Sequence, residues 1–99
     1  MKLKVTFLNL LSCPWCMAVK TELYADPQFL KGIEQKNFLW IVREINMGQS
    51  QKVKEEIRHL YGLKVPHYPC FLIQNEDDSK PHLLVGSNSG TTLKKILRS

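Results

Sequence analysis

A pair of cysteines stands where an apolar segment gives way to a helical pattern, and this placement limits the fold more than any other feature. The Cys-Pro-Trp-Cys segment at residues 13–16 follows directly after the apolar stretch 5–11. Two thiols about one helical turn apart can close a small ring with little backbone movement. At a helix N-terminus, unpaired N–H groups and the helix dipole stabilise a thiolate. The pattern therefore predicts Cys13 as the nucleophile of a thiol–disulfide exchange and Cys16 as the resolving thiol.

A CxxC pair is not by itself specific to redox chemistry. It can be half of a zinc site, a structural disulfide or a coincidence. Pro14 favours the redox interpretation, because proline suits the first helical position, where its missing N–H leaves no partner unsatisfied. The strand predicted before the pair and the helix predicted after it favour the same interpretation.

The composition is that of one small domain in a reducing compartment. The chain has 99 residues and three cysteines, enough for a single core but too few thiols for a disulfide scaffold. No apolar stretch approaches the length of a membrane span. We therefore expect a cytoplasmic protein with no membrane partner.

The positive charge does not by itself indicate nucleic-acid binding. The formal net charge is +5, but the basic residues are scattered along the chain. One tight group, Lys94, Lys95 and Arg98, falls in the last turns of a predicted helix, where cations complement the dipole. We therefore expect no nucleic-acid partner, although the charge favours acidic protein partners through electrostatic steering.

Hydrophobic periodicity predicts an α/β chain in the order β-α-β-α-β-β-α. Asp26 is expected to cap a short helix, or a continuation of the first helix after a kink, and Gly62 to end a later helix. The predicted strands span residues 2–8, 38–45, 70–73 and 82–85, and a turn is predicted over 75–81. The predicted helices span residues 14–24, a segment from 27 onward, 50–61, and a last helix from Ser89 or Thr91.

Two motifs together make the chain resemble the thioredoxin superfamily: the CxxC after the first strand, and Tyr68-Pro69 before the strand that begins at Cys70. The resemblance implies a minimal thioredoxin fold, a central four-stranded mixed sheet flanked by helices, in one domain over residues 1–99. It also implies a monomeric oxidoreductase without a cofactor that acts on protein disulfides, with a reductase or glutathione as electron donor. The proline and the aromatic residue between the cysteines are similar to the residues that glutaredoxins carry there. The segment 16–30 is similar to the thioredoxin-like domains of bacterial thiol:disulfide interchange reductases.

In that superfamily a cis-proline loop packs against the CxxC, and two prolines are candidates. Pro69 is favoured over Pro66, because it stands at the first residue of a strand, where a missing N–H does little harm. The resemblance implies that the backbone of Tyr68 is then free to bind an extended substrate. We predict substrate contacts at Pro14, Trp15, Tyr68 and Pro69; for Trp15 and Tyr68, packing over the motif is the alternative.

The sequence also departs from the superfamily pattern. Phe7 occupies the position at which thioredoxins carry a buried acid, so proton transfer is expected to rely on water. The segment 64–66 resembles one part of the glutathione-binding signature of glutaredoxins, but the segment 86–88 lacks the expected glycine pair. A protein disulfide is therefore favoured over glutathione as the substrate.

A third cysteine leaves two further functions open. Cys70 on a buried strand is explained as a small apolar side chain. Alternatively, Cys13, Cys16, His67 and Cys70 form a Cys3His set suited to zinc, although strand alternation argues against a common direction for His67 and Cys70. The remaining alternative is a redox-inert interaction module that keeps the fold. The favoured interpretation requires no metal.

Overall fold

The computed structural model describes residues 3–75, 80–86 and 88–98. The strands are β1 (Leu3–Leu10), β2 (Phe38–Ile45), β3 (Cys70–Asn75) and β4 (His82–Val85). The α-helices are α1 (Pro14–Tyr24), α2 (Pro27–Glu34), α3 (Ser50–Tyr61) and α4 (Ser89–Arg98), and a short 3-10 helix spans Met47–Gln49. None of the helices in the described ranges has the length and apolar character needed to cross a bilayer.

The strands form one mixed sheet in the order β2-β1-β3-β4. β1 runs parallel to β2 and antiparallel to β3, and β3 runs antiparallel to β4. In this register Phe7 lies opposite Phe71, and Leu8 lies opposite Cys70. The inner position of β1 explains why the neighbouring residues Phe7 and Leu8 are both buried, although they point to opposite faces of the sheet.

The sheet separates two apolar clusters. Phe7 and Phe71 belong to the cluster on the side of α1, α2 and α4, whose buried members include Val19, Phe29 and Leu93. The cluster on the side of α3 holds all three cysteines together with Leu8, Ile45, Val53, Ile57, Val65, Tyr68 and Leu72. The three thiols therefore pack in one apolar cluster, to which the start of α1 contributes Cys13 and Cys16.

The predicted helix ends are confirmed, because short local signals set them. Asp26 caps α2 and accepts a hydrogen bond from the backbone N–H of Gln28 at 3.0 Å. Gly62 follows α3 with φ of 68°, a conformation that glycine adopts without steric cost. α2 is a separate helix rather than a continuation of α1.

The strands differ from the prediction mainly in length. β1 and β3 each extend two residues further than predicted, to Leu10 and Asn75, while β2 and β4 have the predicted bounds. The predicted start of β1 at Lys2 and residues 76–79 of the predicted turn lie outside the described residues.

Candidate functional site

The chain passes from β1 to α1 through a tight turn that positions Cys13. The N–H of Leu11 donates to the carbonyl of Ile45 at 2.8 Å, which holds the end of β1 against β2. Ser12 then has φ of 67°, and the N–H of Cys13 donates back to the carbonyl of Leu10 at 3.3 Å. This left-handed residue was missed in the sequence, because serine is not among the residues that usually mark it.

Cys13 is the N-cap residue of α1, and Pro14 follows at the start of the helix. The Cys13 sulfur accepts a hydrogen bond from the backbone N–H of Cys16 at 3.3 Å. It thus takes the place of the side-chain oxygen that usually satisfies a free N–H at a helix start. Cys13 keeps 9% of its surface exposed, whereas Cys16 is fully buried.

The two thiols of the motif differ in their electrostatic surroundings. Burial and the hydrogen bond with Cys13 raise the pKa of Cys16 to about 12. Cys16 is therefore a protonated thiol at neutral pH. Cys13 is the less buried of the two residues, and its sulfur is the one that accepts a backbone hydrogen bond.

The loop before β3 packs beside the motif. Within the described ranges, the peptide bond between Tyr68 and Pro69 is the one in the cis form, so the choice of Pro69 over Pro66 is confirmed. The hydroxyl of Tyr68 donates to the carbonyl of Ser50 at 3.0 Å, which ties the loop to the start of α3. The carbonyl of Pro69 accepts from the N–H of Gly86 at 3.0 Å.

An open recess of about 570 Å³ lies between the motif and this loop. Three of the predicted substrate contacts line it, and His67 and Gly86 complete it: the lining residues are Trp15, His67, Tyr68, Pro69 and Gly86. Pro14 is exposed but does not line the recess. Trp15 is 65% exposed, so most of its ring is available for contact.

His67 and Gly86 were not predicted as substrate contacts, although His67 was named beside the motif as a ligand of the Cys3His alternative. A Cβ built on Gly86 would lie 3.9 Å from Cε1 of His67, and Gly86 has φ of 101°. The glycine is itself the one sequence signal for this position, because such a backbone conformation favours a residue without a Cβ. The sequence gives no comparable signal for His67.

The Cys70 thiol and the His67 side chain lie in different surroundings. Its thiol donates a hydrogen bond to the carbonyl of His67 at 3.1 Å, and burial raises its pKa to about 12. The His67 side chain instead lines the recess beside Gly86. Within the described part of the chain, no three His, Cys, Asp or Glu side chains are grouped to bind a metal. The structure therefore gives the Cys3His alternative no support, because the His67 side chain lies in the recess while the three thiols pack in the apolar cluster on the side of α3.

The position of the expected buried acid is filled by an aromatic ring. Phe7 is fully buried and stacks on Phe71 with ring centres 4.8 Å apart. The groups that shift the pKa of Cys16 are its own burial, Cys13, the Leu10 backbone and Cys70. None of these is a carboxylate, which is consistent with proton transfer through water.

Several solved structures superpose on this fold over nearly the whole chain. A thioredoxin from Thermus thermophilus superposes with a TM-score of 0.61 at 20% identity, covering 98% of this chain and 72% of that one. Fasciola hepatica thioredoxin gives 0.63 at 16% identity, with 98% and 79% covered. Glutaredoxin 1 from Francisella tularensis, complexed with cacodylate, gives 0.56 at 19% identity, with 98% and 99% covered. No family model matches the sequence, and no curated protein matches it significantly. The fold is thioredoxin-like.

Proposed function

We propose that the chain, as a single domain over residues 1–99, is a thiol–disulfide oxidoreductase that acts on protein disulfides through Cys13 and Cys16. The observation that carries the proposal is the hydrogen bond from the Cys16 N–H to the Cys13 sulfur at the start of α1. It provides a fixed donor to a sulfur that would otherwise carry its charge unaided. The likeness to thioredoxins and a glutaredoxin supports the same class of chemistry.

The reaction consists of two exchanges. The Cys13 thiolate attacks one sulfur of the substrate disulfide; a Cys13–substrate disulfide forms, and the other substrate sulfur leaves as a thiolate that takes up a proton. Cys16 then loses its proton to water and attacks the Cys13 sulfur. The bond between Cys13 and the substrate breaks, and the second substrate sulfur leaves as a thiolate that takes up a proton. The substrate disulfide has gained two electrons from the cysteine pair, which is left as a Cys13–Cys16 disulfide.

The recess is the proposed binding place of the substrate segment beside the disulfide. Trp15 provides an exposed apolar surface, and the backbone at Tyr68 and Pro69 forms the opposite wall. Pro14 is the proposed contact at the exposed start of α1. A segment bound between these walls would present its sulfur to Cys13, since the same turn holds Trp15 and Cys13 two residues apart.

The oxidised motif requires a reductant. A dithiol reductase or glutathione would supply the two electrons, and no cofactor enters the cycle. We propose a cytoplasmic monomer without nucleic-acid or membrane partners, in keeping with the thiol chemistry.

A trapping experiment tests the proposal. A Cys16→Ser variant cannot complete the second exchange, so it should accumulate a mixed disulfide with a disulfide-bonded substrate such as insulin, mapped to Cys13 by mass spectrometry. Cys13→Ser should not reduce insulin, and Cys70→Ser should reduce it at a rate close to that of the parent.

Two results would contradict the proposal. One is insulin reduction at the parent rate by Cys13→Ser. The other is the absence of both turnover and a trapped adduct while all three proteins are folded, which would favour the redox-inert interaction module.

A further inference from the structure

A second groove, which the proposed chemistry does not use, lies along α3 and the loop that follows it. Its volume, which includes space open to solvent, is about 910 Å³. Three cations and one carboxylate line it, together with three uncharged residues: the lining residues are Gln51, Lys54, Glu55, Arg58, Lys64, Val65 and Pro66. The neighbouring Glu56 is paired with Arg43. The groove is therefore a basic surface, and we call it the basic groove.

Lys54 connects the basic groove to the recess beside the motif. Its ammonium donates to the carbonyl of Pro66 at 3.4 Å and lies 5.7 Å from the centre of the Tyr68 ring. Tyr68 also lines the recess. The basic groove and the recess thus share one loop, because Pro66 lines the basic groove and Pro69 lines the recess.

We propose that the basic groove binds an acidic stretch of the polypeptide substrate, in extended conformation, next to the disulfide that occupies the recess. This inference rests on the proposed function. Pro66 and Pro69 are three residues apart, so the chain between them spans at most roughly 11 Å. An extended substrate segment covers that length with about three residues. Asp or Glu side chains about three to six positions from the substrate cysteine would therefore reach the cations.

The position of the charges favours a polypeptide over glutathione. Lys54 and Arg58 are one helical turn apart on α3, and Lys64 lies on the loop across the groove. A chain between these walls would meet cations on both sides. The carboxylates of glutathione lie within one residue of its sulfur, so they would remain near the recess. Exposed ion pairs are individually weak, and their combined effect is expected mainly in association rate and selectivity.

Two matched peptides test the inference. Both carry the same disulfide; one has Asp and Glu three to six positions from the reactive cysteine, and the other has Asn and Gln there. The groove variant combines Lys54→Gln, Arg58→Gln and Lys64→Gln. At low salt the parent should reduce the acidic peptide with a kcat/KM roughly fivefold higher than the neutral one, and the groove variant should lose this preference.

A control variant separates the groove from overall charge. It combines Lys31→Gln, Lys36→Gln and Lys95→Gln, which removes three charges from α2, from the turn after it and from α4, on the opposite side of the sheet. This variant should keep the preference for the acidic peptide. High salt should remove the preference in the parent, since exposed charges are screened.

The outcomes are distinguishable. Equal rates for the two peptides with the parent, or equal loss of preference in the groove and control variants, would overturn the inference and leave the proposed function standing. The neutral peptide can also be offered as a mixed disulfide with glutathione. If the groove variant slowed the reduction of this mixed disulfide as much as it slowed that of the acidic peptide, the groove would be assigned to glutathione, and the inference would be overturned. Failure of the parent to reduce either peptide would overturn the proposed function, and the inference with it. Urea unfolding of the groove variant, compared with that of the parent, shows separately that this variant is folded, and the preference is taken as the ratio of its two rates.

Discussion

The backbone N–H of Cys16 donates to the sulfur of Cys13 at 3.3 Å, so one residue of the motif supports the other before any disulfide forms. The same helical turn buries the Cys16 side chain completely. One turn of backbone therefore gives the two thiols unequal access and unequal surroundings, which is the asymmetry that sequential thiol exchange needs.

Selective alkylation should report this asymmetry. In the reduced native protein at about pH 8, we expect iodoacetamide to modify Cys13 at least roughly a hundredfold faster than Cys16 or Cys70, because both of these are fully buried thiols with a pKa near 12. Peptide mapping by mass spectrometry measures the rates. In denaturant all three cysteines should react at similar rates. Rapid native labelling of Cys70 would contradict the burial on which the prediction rests.

Removal of the exposed indole should affect substrate reduction and leave stability nearly unchanged. Trp15 is 65% exposed and lines the recess, so Trp15→Ala should change the free energy of unfolding by less than about 0.5 kcal/mol. It should lower kcat/KM for insulin by roughly threefold to tenfold, through loss of an aromatic contact. Reduction of a small aromatic disulfide should change less.

Met17 provides the matched control for Trp15. It is 63% exposed on the same helix but does not line the recess. Met17→Ala should leave kcat/KM for insulin unchanged. An equal fall in both variants would show that helix α1, rather than the indole, determines the rate.

Features that depend on neighbouring residues could be predicted from the sequence, and features that depend on distant segments could not. The cap at Asp26 and the stop at Gly62 follow from a few adjacent residues. Pro69 could be chosen because a strand begins directly after it. His67, in contrast, reaches the recess because the loop before β3 meets Gly86 from another loop. No local pattern encodes that meeting.

High pH should destabilise the reduced protein through its buried thiols. The pKa of Cys70 is raised by burial from 9.0 to about 12, so the folded state binds a proton that the unfolded state releases. This stabilisation is complete below about pH 9 and is lost as pH rises toward 12. From about pH 8 to about pH 10.5, the parent should therefore lose roughly 2 kcal/mol more than Cys70→Ala.

The change with pH, not the absolute stability, is the quantity to compare, since Cys70→Ala also removes packing. Urea unfolding with a thiol reductant present measures it. Leu72 lies on the same face of β3 as Cys70, and Leu72→Val removes packing without removing a titrating group. It should therefore show the same pH dependence as the parent. Identical curves for the parent and Cys70→Ala would contradict the assignment to Cys70.

The hydroxyl of Tyr68 should matter for stability and not for catalysis. Tyr68 is 8% exposed, and its hydroxyl donates to the carbonyl of Ser50 at 3.0 Å. Tyr68→Phe should lower the free energy of unfolding by about 1 kcal/mol through loss of this bond. The ring still lines the recess, so kcat/KM for insulin should stay within about twofold of the parent.

Tyr24→Phe is the control for Tyr68→Phe. The Tyr24 hydroxyl accepts a hydrogen bond from Trp40 in an exposed setting, so its removal should lower the free energy of unfolding by less than about 0.5 kcal/mol. A roughly tenfold fall in kcat/KM for Tyr68→Phe with unchanged stability would instead place the hydroxyl in contact with the substrate.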